Sequence, residues 1–319
     1  RRARRCRASE DCMNPAFSVL LFTTLSGTGF GLWFWIALRV ALGDRPEWFD
    51  GLGWMFGLIA GAVLVAVGVI ASLWHLGKPA RVWRAFSQWR TSWMSREGVF
   101  ALASFGSATT LFVVMWASGS GWPTRATAGT LAVLCIAAVY STAMIYASLT
   151  PVPAWRHPLV VPGYLLFAAL GGGLLFGPFA GTTIDDPSWV GAGIVIGATA
   201  LWRIKRRYWR DTDRTPLPHD TGDAVGLPSR AVTSFERPHT ESNYLTREMG
   251  FVVARKHAKK LRTVSVVLFA LIPALCALPV WLLPHGDVTV LLWAGAASFQ
   301  LGALVEPDPR PALARGGVP

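Results

Sequence analysis

The sequence predicts an all-α, polytopic integral membrane protein with eight transmembrane helices and an interfacial amphipathic helix after the second. Three observations carry this. Of 319 residues, 52% are hydrophobic, only 15% are charged, and sixteen are Trp. Apolar runs recur at about 16–42, 53–74, 98–118, 127–149, 159–179, 188–203, 263–283 and 287–305, most of them reaching the roughly 17–25 residues a helix needs to cross a bilayer. In hydrocarbon every backbone polar group needs an internal partner, which leaves helices or a closed barrel. These runs are too long and too evenly apolar for the alternating strands of a barrel.

Residues 1–12, RRARRCRASEDC, are polar and basic, and Met13 opens the apolar MNPAFSVLLFTTLSG. The basic segment lacks the apolar pattern and cleavage site of a twin-arginine export signal. Met13 therefore reads as the natural start, residues 1–12 as an extension, and 13–319 as an eight-helix anchor domain. In the second span Gly53, Gly57 and Gly61 are four apart, as are Gly193 and Gly197 in the sixth. Small residues at that spacing let helix backbones approach closely. Gly171, Gly172 and Gly173 mark a tight crossing or a local irregularity in the fifth span. The sixth span is short, and prolines interrupt the last two.

The longest polar segment, 203–262, is expected to be a basic cytoplasmic loop. Its first part, RRYWRDTDRTPLPHDTGDAVGLPSR, has the Pro, Gly and Asp content of an extended linker ordered by a partner. Its second part, YLTREMGFVVARKHAKKLR, spaces Leu245, Met249, Val252 and Lys256 by four, three and four, a basic amphipathic helix leading into the seventh span. Sixty residues of this composition cannot enclose the core of a soluble catalytic domain. Soluble chemistry is expected from another chain.

With eight spans, both termini and the loops after even-numbered spans share one face. That face carries 27 of the 30 Lys and Arg residues, and 22 without the first twelve positions; the other has only Arg39, Arg45 and Arg125. Basic residues near span ends favour the cytoplasmic side. The expectation is a multi-pass protein of the cytoplasmic (inner) membrane with its basic loops and both termini inside. Part of the excess can instead serve docking. The net charge of +12 thus reflects topology and docking, not nucleic-acid binding.

What the spans lack narrows the function. Apart from Asp287 at the very edge of the last run, none contains Asp or Glu, and Glu97 and Glu306 fall at span ends. Ion-coupled transporters and pumps need buried ionisable groups along their path, so a transporter is a remote alternative. His75, His157, His219, His239, His257 and His285 all lie at span ends or in loops. A haem with facing His ligands inside the bundle is not expected, although a His75/His157 pair near one face stays open. Cys6, Cys12, Cys135 and Cys276 form no CxxC set. Neither haem nor metal is expected in this chain.

The stretch SLWHLGKPARVWRAFSQWRTSWMSREG, residues 72–98, packs five Lys or Arg, four Trp, one His and one Glu behind an uncharged span. Pro79 suits the first turn of a helix. Val82, Phe86 and Trp89 fall on one face of it, and Arg81, Arg84 and Gln88 on another, the pattern of a helix lying in the membrane interface. Trp74, Trp83, Trp89 and Trp93 suit the headgroup level. An interfacial belt with lipid phosphates as counter-ions accounts for the Trp and most of the Arg residues. His75 and Glu97, at the ends of adjacent spans, fit a second reading. A quinone needs donors at its ring carbonyls, takes up two protons with two electrons, and keeps its isoprenoid tail in lipid. An imidazole that titrates near neutral pH and a carboxyl at the mouth of an apolar bundle suit that chemistry. Arg81 or Arg96 would steady a negatively charged ring or hold Glu97 ionised. A histidine satisfied by backbone or water remains the simpler alternative.

HLGKPARVWRAFSQWRTSWMSRE and MNPAFSVLLFTTLSGTG resemble the membrane-anchor subunit family of the dimethyl sulfoxide reductase type. The MNPAFSV opening and SNYLTREMGFVVARKHAKKLR are most similar to the anchors of membrane-bound sulfite dehydrogenase complexes. The resemblance runs over nearly the whole chain. It implies eight spans and a haem-free, quinone-reactive anchor for ubiquinone or menaquinone. It also implies two partners: a catalytic subunit with a molybdenum bis-pyranopterin (bis-MGD) cofactor and a [4Fe–4S] cluster, and a ferredoxin-like iron–sulfur subunit. The family places the quinone near the HLGxP histidine, here His75, and the acidic residue of Ser95-Arg96-Glu97. The expected quinone and proton-transfer set is His75, Glu97, Arg81, Arg96, Ser72 and Trp93. The expected docking set is Lys78, Arg84, Arg90, Arg156, Arg247 and Lys256. This chain would carry electrons from sulfite to the quinone pool but hold no catalytic residue for sulfite itself. The opposite direction, menaquinol to an S-oxide or N-oxide, is the alternative; a purely structural anchor and a dihaem cytochrome are two more.

Overall fold

A computed structural model of the chain describes residues 15–43, 53–73, 79–118, 121–149, 154–180, 188–214, 257–283 and 289–305, with a few isolated positions between 214 and 257. Among these the chain is helical, with no strand. The helices are α1 (Pro15–Ala41), α2 (Gly53–Leu73), a 3₁₀ helix (Pro79–Gln88), α3 (Trp93–Ser118), α4 (Trp122–Ala147), α5 (Val160–Ala180), α6 (Ser188–Arg214), α7 and α8 (Thr289–Val305). Helix α7 runs through three segments, Ala258–Val266, a π-helical turn Val267–Leu271, and Ile272–Leu282. Six helices are long and apolar enough to cross a membrane: Ser18–Ala41, Gly53–Leu73, Trp93–Ala117, Trp122–Ala147, Val160–Phe179 and Lys259–Leu282. Helix α8 is apolar but shorter, and α6 is apolar only in its first half before turning basic.

Helix α1 is the hub and packs on α2, α4 and α5. Its Trp33 is fully buried and donates its indole N–H to the Leu58 carbonyl of α2 at 2.9 Å. Trp35 donates to the Ala169 carbonyl of α5 at 2.7 Å. Helix carbonyls already accept one bond from their own helix, and their second lone pair takes these indoles, so neither indole N–H is left unpaired. Just before the two tryptophans, at Gly31, α1 and α5 cross in backbone contact. A Cβ on Gly31 would lie 1.8 Å from the Ala168 oxygen, and one on Gly172 would lie 2.0 Å from the Gly31 carbonyl carbon. The Gly171–Gly173 run is the tight crossing its sequence allowed.

Gly57 and Gly61 make room on α2 for the side chains of Ile36 and Trp33, as the four-residue spacing suggests. The outer face of α2, with Phe56, Ile59, Val63, Val67 and Ile70, is exposed and apolar, as a lipid-facing surface should be. In α6 the small residue that matters is a different one. Gly193 faces open space, whereas a Cβ on Gly191 would meet the Trp281 nitrogen at 2.6 Å, which is where α6 and α7 close on each other. Spacing alone cannot say which face of a helix its neighbour takes.

The prolines of the last two spans have specific effects. Pro273 lacks the N–H that an α-helix would direct to residue 269, and the chain widens into the π turn just before it. The freed geometry is used by α8, whose Ser298 hydroxyl donates to the Leu268 carbonyl at 2.8 Å. Four helix ends depart from the apolar runs, one of them the start of α7 at Ala258. Helix α3 starts at Trp93 and α4 at Trp122, each about one turn before its run, and α6 continues to Arg214. The segment expected as a loop from residue 203 is therefore helical through 214, pinned to the start of α7 by a two-point Arg262–Asp213 pair at 2.5 and 3.0 Å. The amphipathic helix expected over 244–262 lies mostly outside the described residues.

Neighbouring helices alternate in direction: Gly68 of α2 meets Phe22 and Ser26 of α1, while Gly57 meets Ile36. The starts of odd-numbered helices and the ends of even-numbered ones thus share one end of the bundle. It is the end that carries the basic segments.

Candidate functional site

At this end α2 stops, the chain passes through the 3₁₀ helix, and α3 begins. A 3₁₀ helix repeats every three residues, so Trp83 and Phe86 share its apolar row, continued by Trp89 in the turn after it, all exposed, rather than the Val82–Phe86–Trp89 face of an α-helix. Phe86 turns back to α3, its ring edge 3.1 Å from where a Gly98 Cβ would stand. Arg96 locks the following turn: its Nε donates to the Trp89 carbonyl at 3.1 Å and its Nη2 to the Arg90 carbonyl at 2.6 Å. Its guanidinium also lies over the Trp93 ring, 4.3 Å from the centroid. Trp93 in turn meets Tyr140 of α4 edge-on at 5.8 Å.

This corrects two expectations. Arg96 holds loop carbonyls together and forms no ion pair with Glu97. Glu97 is also not outside the span: α3 begins four residues earlier, and the carboxylate lies within the membrane-crossing segment Trp93–Ala117. It is partnered by the Thr142 hydroxyl of α4, which donates to Oε1. The same hydroxyl lies 3.2 Å from the Ala138 carbonyl. One hydroxyl has one hydrogen. With Glu97 ionised it points to the carboxylate; with Glu97 protonated, the carboxyl donates to Thr142 and the hydroxyl turns to Ala138. The pair can hold or pass a proton.

Thr142 also forms part of the wall of a partly open cavity of about 170 Å³ at the same end, between α1, α4, α5, α6 and α8. Tyr146, stacked on Tyr164 at 5.8 Å and edge-on to Trp155 at 5.4 Å, gives it an aromatic side. The TTLSGT stretch of α1 supplies Thr23, Thr24, Ser26 and Thr28. The first three of these hydroxyls donate to carbonyls of their own helix at 2.6–3.2 Å, as hydroxyl side chains in helices do. Thr28 accepts from Gln300 Nε2 of α8, and the amide oxygen of Gln300 is buried with no partner among the described residues. Lys205 of α6 brings an ammonium to the wall, over the rings of Phe167 at 4.9 Å and Tyr208 at 5.7 Å. Tyr208 anchors the α4–α5 turn by donating to the Ala154 carbonyl at 3.2 Å. His157 of that turn pairs with Asp211 at 3.4 Å.

Of the residues expected from sequence, Glu97, Arg96 and Trp93 come together at the start of α3. Ser72, at the end of α2, donates to the Val69 carbonyl of its own helix at 2.7 Å. Arg84 and Arg90 are exposed beside Trp83 and Trp89, and Arg156 is exposed on the α4–α5 turn. His75, Lys78, Arg247 and Lys256 lie outside the described residues, and of Arg81 only the backbone is described. Sequence reasoning missed Thr142, Lys205 and the cavity. Thr142 sits inconspicuously in STAMIYA, and Lys205 is one of several cations in a segment read as loop. Among the described residues, no group of three or more His, Cys, Asp or Glu side chains could hold a metal ion.

Two comparisons bear on this arrangement. The chain is 29% identical over 282 residues to a subunit of the sulfite dehydrogenase of Allochromatium vinosum, covering 82% of this chain and 85% of that one. Residues 13–189, more than half of the chain and including α1 to α5, the 3₁₀ turn and the Glu97–Thr142 pair, match the model of the DMSO reductase anchor subunit (DmsC). The chain belongs to the DMSO reductase anchor subunit family.

Proposed function

We propose that this membrane anchor passes electrons from an iron–sulfur partner to the quinone pool, in a molybdenum-containing complex that oxidises sulfite. The observation that carries the reading is the Glu97–Thr142 pair: a carboxyl hydrogen-bonded between α3 and α4, with Thr142 also lining a largely apolar cavity, at the end where the basic segments meet. Quinone reduction needs a proton source in a place reached by lipid, water and a partner protein. A purely structural anchor has no need of a buried carboxyl there, and its desolvation would only cost stability.

The residues divide the work by position. His75 and Glu97 hold and move protons at the ring. Arg96 and Trp93 fix the start of α3, and with it the carboxyl. Ser72 and Arg81 flank the same mouth. Lys78, Arg84, Arg90, Arg156, Arg247 and Lys256 offer cations to an iron–sulfur subunit, which seats its last cluster above His75. All eight helices cross the cytoplasmic membrane, with the basic end inside. The choice of sulfite as donor rests on the relative from Allochromatium vinosum and its even coverage of both chains. The family model favours a second reading, in which the same site oxidises quinol to drive reduction of an S-oxide.

The test is steady-state reduction of a short-chain ubiquinone by the purified complex with sulfite as donor, wild type beside His75→Ala. Sulfite-driven reduction that is lost in the variant, with all subunits still bound, supports the reading. Quinol oxidation by dimethyl sulfoxide without sulfite activity reverses the direction, and activity unchanged by His75→Ala removes the histidine from the site.

A further inference from the structure

Helix α6 changes character along its length. Its apolar part ends at Trp202, and the same helix continues as basic sequence to Arg214. Ser188–Trp202 is about 22 Å long, short of the roughly 30 Å of a hydrocarbon core. A span with too short an apolar part draws its flanking cations into the headgroup layer. With α6 crossing the bilayer as proposed above, Arg203, Arg206 and Arg207 therefore stand at the depth of lipid phosphates. Arg210, about 33 Å from Ser188, is still within the headgroup layer.

All four arginines are exposed, and with Trp202 and Asp211 they line one surface concavity. Asp211 is the one acid among these lining residues, so four cations face a single anion. It is already engaged, with Arg207 at 3.6 Å and with His157 at 3.4 Å. Arg206 lies over the ring of Trp202, 5.5 Å from its centroid. Steps of three and four residues put Arg203, Arg206 and Arg210 on one stripe of the helix. Continued toward the membrane, that stripe holds Thr199 and Ile196, both exposed. Thr199 returns its hydroxyl hydrogen to the Val195 carbonyl at 2.8 Å, which leaves it no donor to present to lipid. The stripe is thus apolar along the crossing and cationic at its end.

We propose that this stripe of α6 binds an anionic phospholipid, its phosphodiester held by Arg203, Arg206 and Arg210 and its acyl chain lying against Ile196 and Thr199. Guanidinium forks match phosphate oxygens two at a time, and the half-buried Trp202 suits the level where headgroup meets chain. A zwitterionic lipid would bring its own cation against the arginines. An acidic soluble partner would need these arginines clear of the headgroups, and the apolar part of α6 is too short for that. The site is independent of the direction of electron flow and of where the quinone ring sits.

The test is lipid titration of the purified complex, stripped in a neutral detergent, with phosphatidylglycerol or phosphatidylcholine and with bound lipid counted by native mass spectrometry. The wild type is expected to bind phosphatidylglycerol at least about tenfold more tightly than phosphatidylcholine, a preference that fades as salt is raised. The triple variant Arg203→Gln/Arg206→Gln/Arg210→Gln should weaken the tightest phosphatidylglycerol site at least about tenfold and leave phosphatidylcholine within about twofold. The control Lys259→Gln/Lys260→Gln, at two exposed positions of α7, should stay within about twofold of wild type for both lipids. A wild type without headgroup preference, or a triple variant that binds phosphatidylglycerol as the wild type does, overturns the site. A triple variant that keeps the lipid but sheds its partner subunits also overturns it and gives the arginines to a docking protein. A control weakened as much as the triple variant reduces the effect to net charge and overturns it too. If the triple variant does not assemble, Arg203→Gln and Arg210→Gln decide singly, each expected to weaken phosphatidylglycerol about fivefold, with no change overturning the site.

Discussion

Replacing Gly31 by Ala tests the crossing on which the whole bundle is built. The new methyl would lie 1.8 Å from the Ala168 oxygen and 2.7 Å from its carbonyl carbon. Ordinary carbon contacts begin near 3.5 Å, so α1 and α5 must separate by about 1.5 Å. Overfilling a packed site typically costs about 1–3 kcal/mol. The separation also strains the Trp35–Ala169 bond four residues on, and interhelical bonds in membranes average about 0.6 kcal/mol. A loss of about 2–4 kcal/mol follows. The assay is SDS-induced unfolding in mixed micelles, followed by far-UV circular dichroism, with Gly129→Ala as control. A Cβ on Gly129 meets nothing within 4 Å, and a helical Gly→Ala change there should be neutral or stabilise by up to about 1 kcal/mol. Gly31→Ala within about 0.5 kcal/mol of wild type, or Gly129→Ala as damaging as Gly31→Ala, would refute the backbone contact.

Other perturbations are expected to be smaller. Trp35→Phe keeps most of the ring but removes the N–H donor to Ala169, and should cost about 0.5–1.5 kcal/mol in the same assay; no loss would mean that the indole bond carries nothing. The Arg262–Asp213 pair is partly exposed, with side-chain accessibilities of 24% and 50%. Solvent screening limits it, so Asp213→Asn should cost below about 1 kcal/mol and the difference should vanish in high salt. A larger, salt-independent loss would mean that α6 depends on this contact to extend past the membrane.

Most of the helices were legible because a lipid-facing helix must be apolar along its whole crossing, and eight such runs stand out. Their ends were less legible. Hydropathy marks the part of a helix that meets lipid, whereas the hydrogen-bonded helix continues into polar sequence, as at Trp93-Met94-Ser95-Arg96-Glu97 and again from Arg203 to Arg214. That is why Glu97 read as a loop-side residue when it is a member of α3. The row Trp83–Phe86–Trp89 was misassigned for a similar reason: sequence gives apolar spacing, but three-residue and 3.6-residue repeats are hard to separate over ten residues. The glycines show the same limit, since Gly31 is decisive and Gly193 is idle with nothing in their spacing to separate them. The cavity was invisible because it is a property of five helices together. Only its TTLSGT segment was singled out, and as a point of resemblance rather than as a wall.

The most direct test of the central claim is Glu97→Gln in the intact complex. The amide is nearly isosteric and keeps an oxygen to accept from Thr142, but it has no acid proton to release. Sulfite-driven ubiquinone reduction should fall by about 100-fold, while sulfite oxidation with ferricyanide, an acceptor that bypasses the anchor, stays at the wild-type rate. Quinone reduction by Glu97→Gln at the wild-type rate, with every subunit in place, would contradict the role of this carboxyl and with it the account of the site.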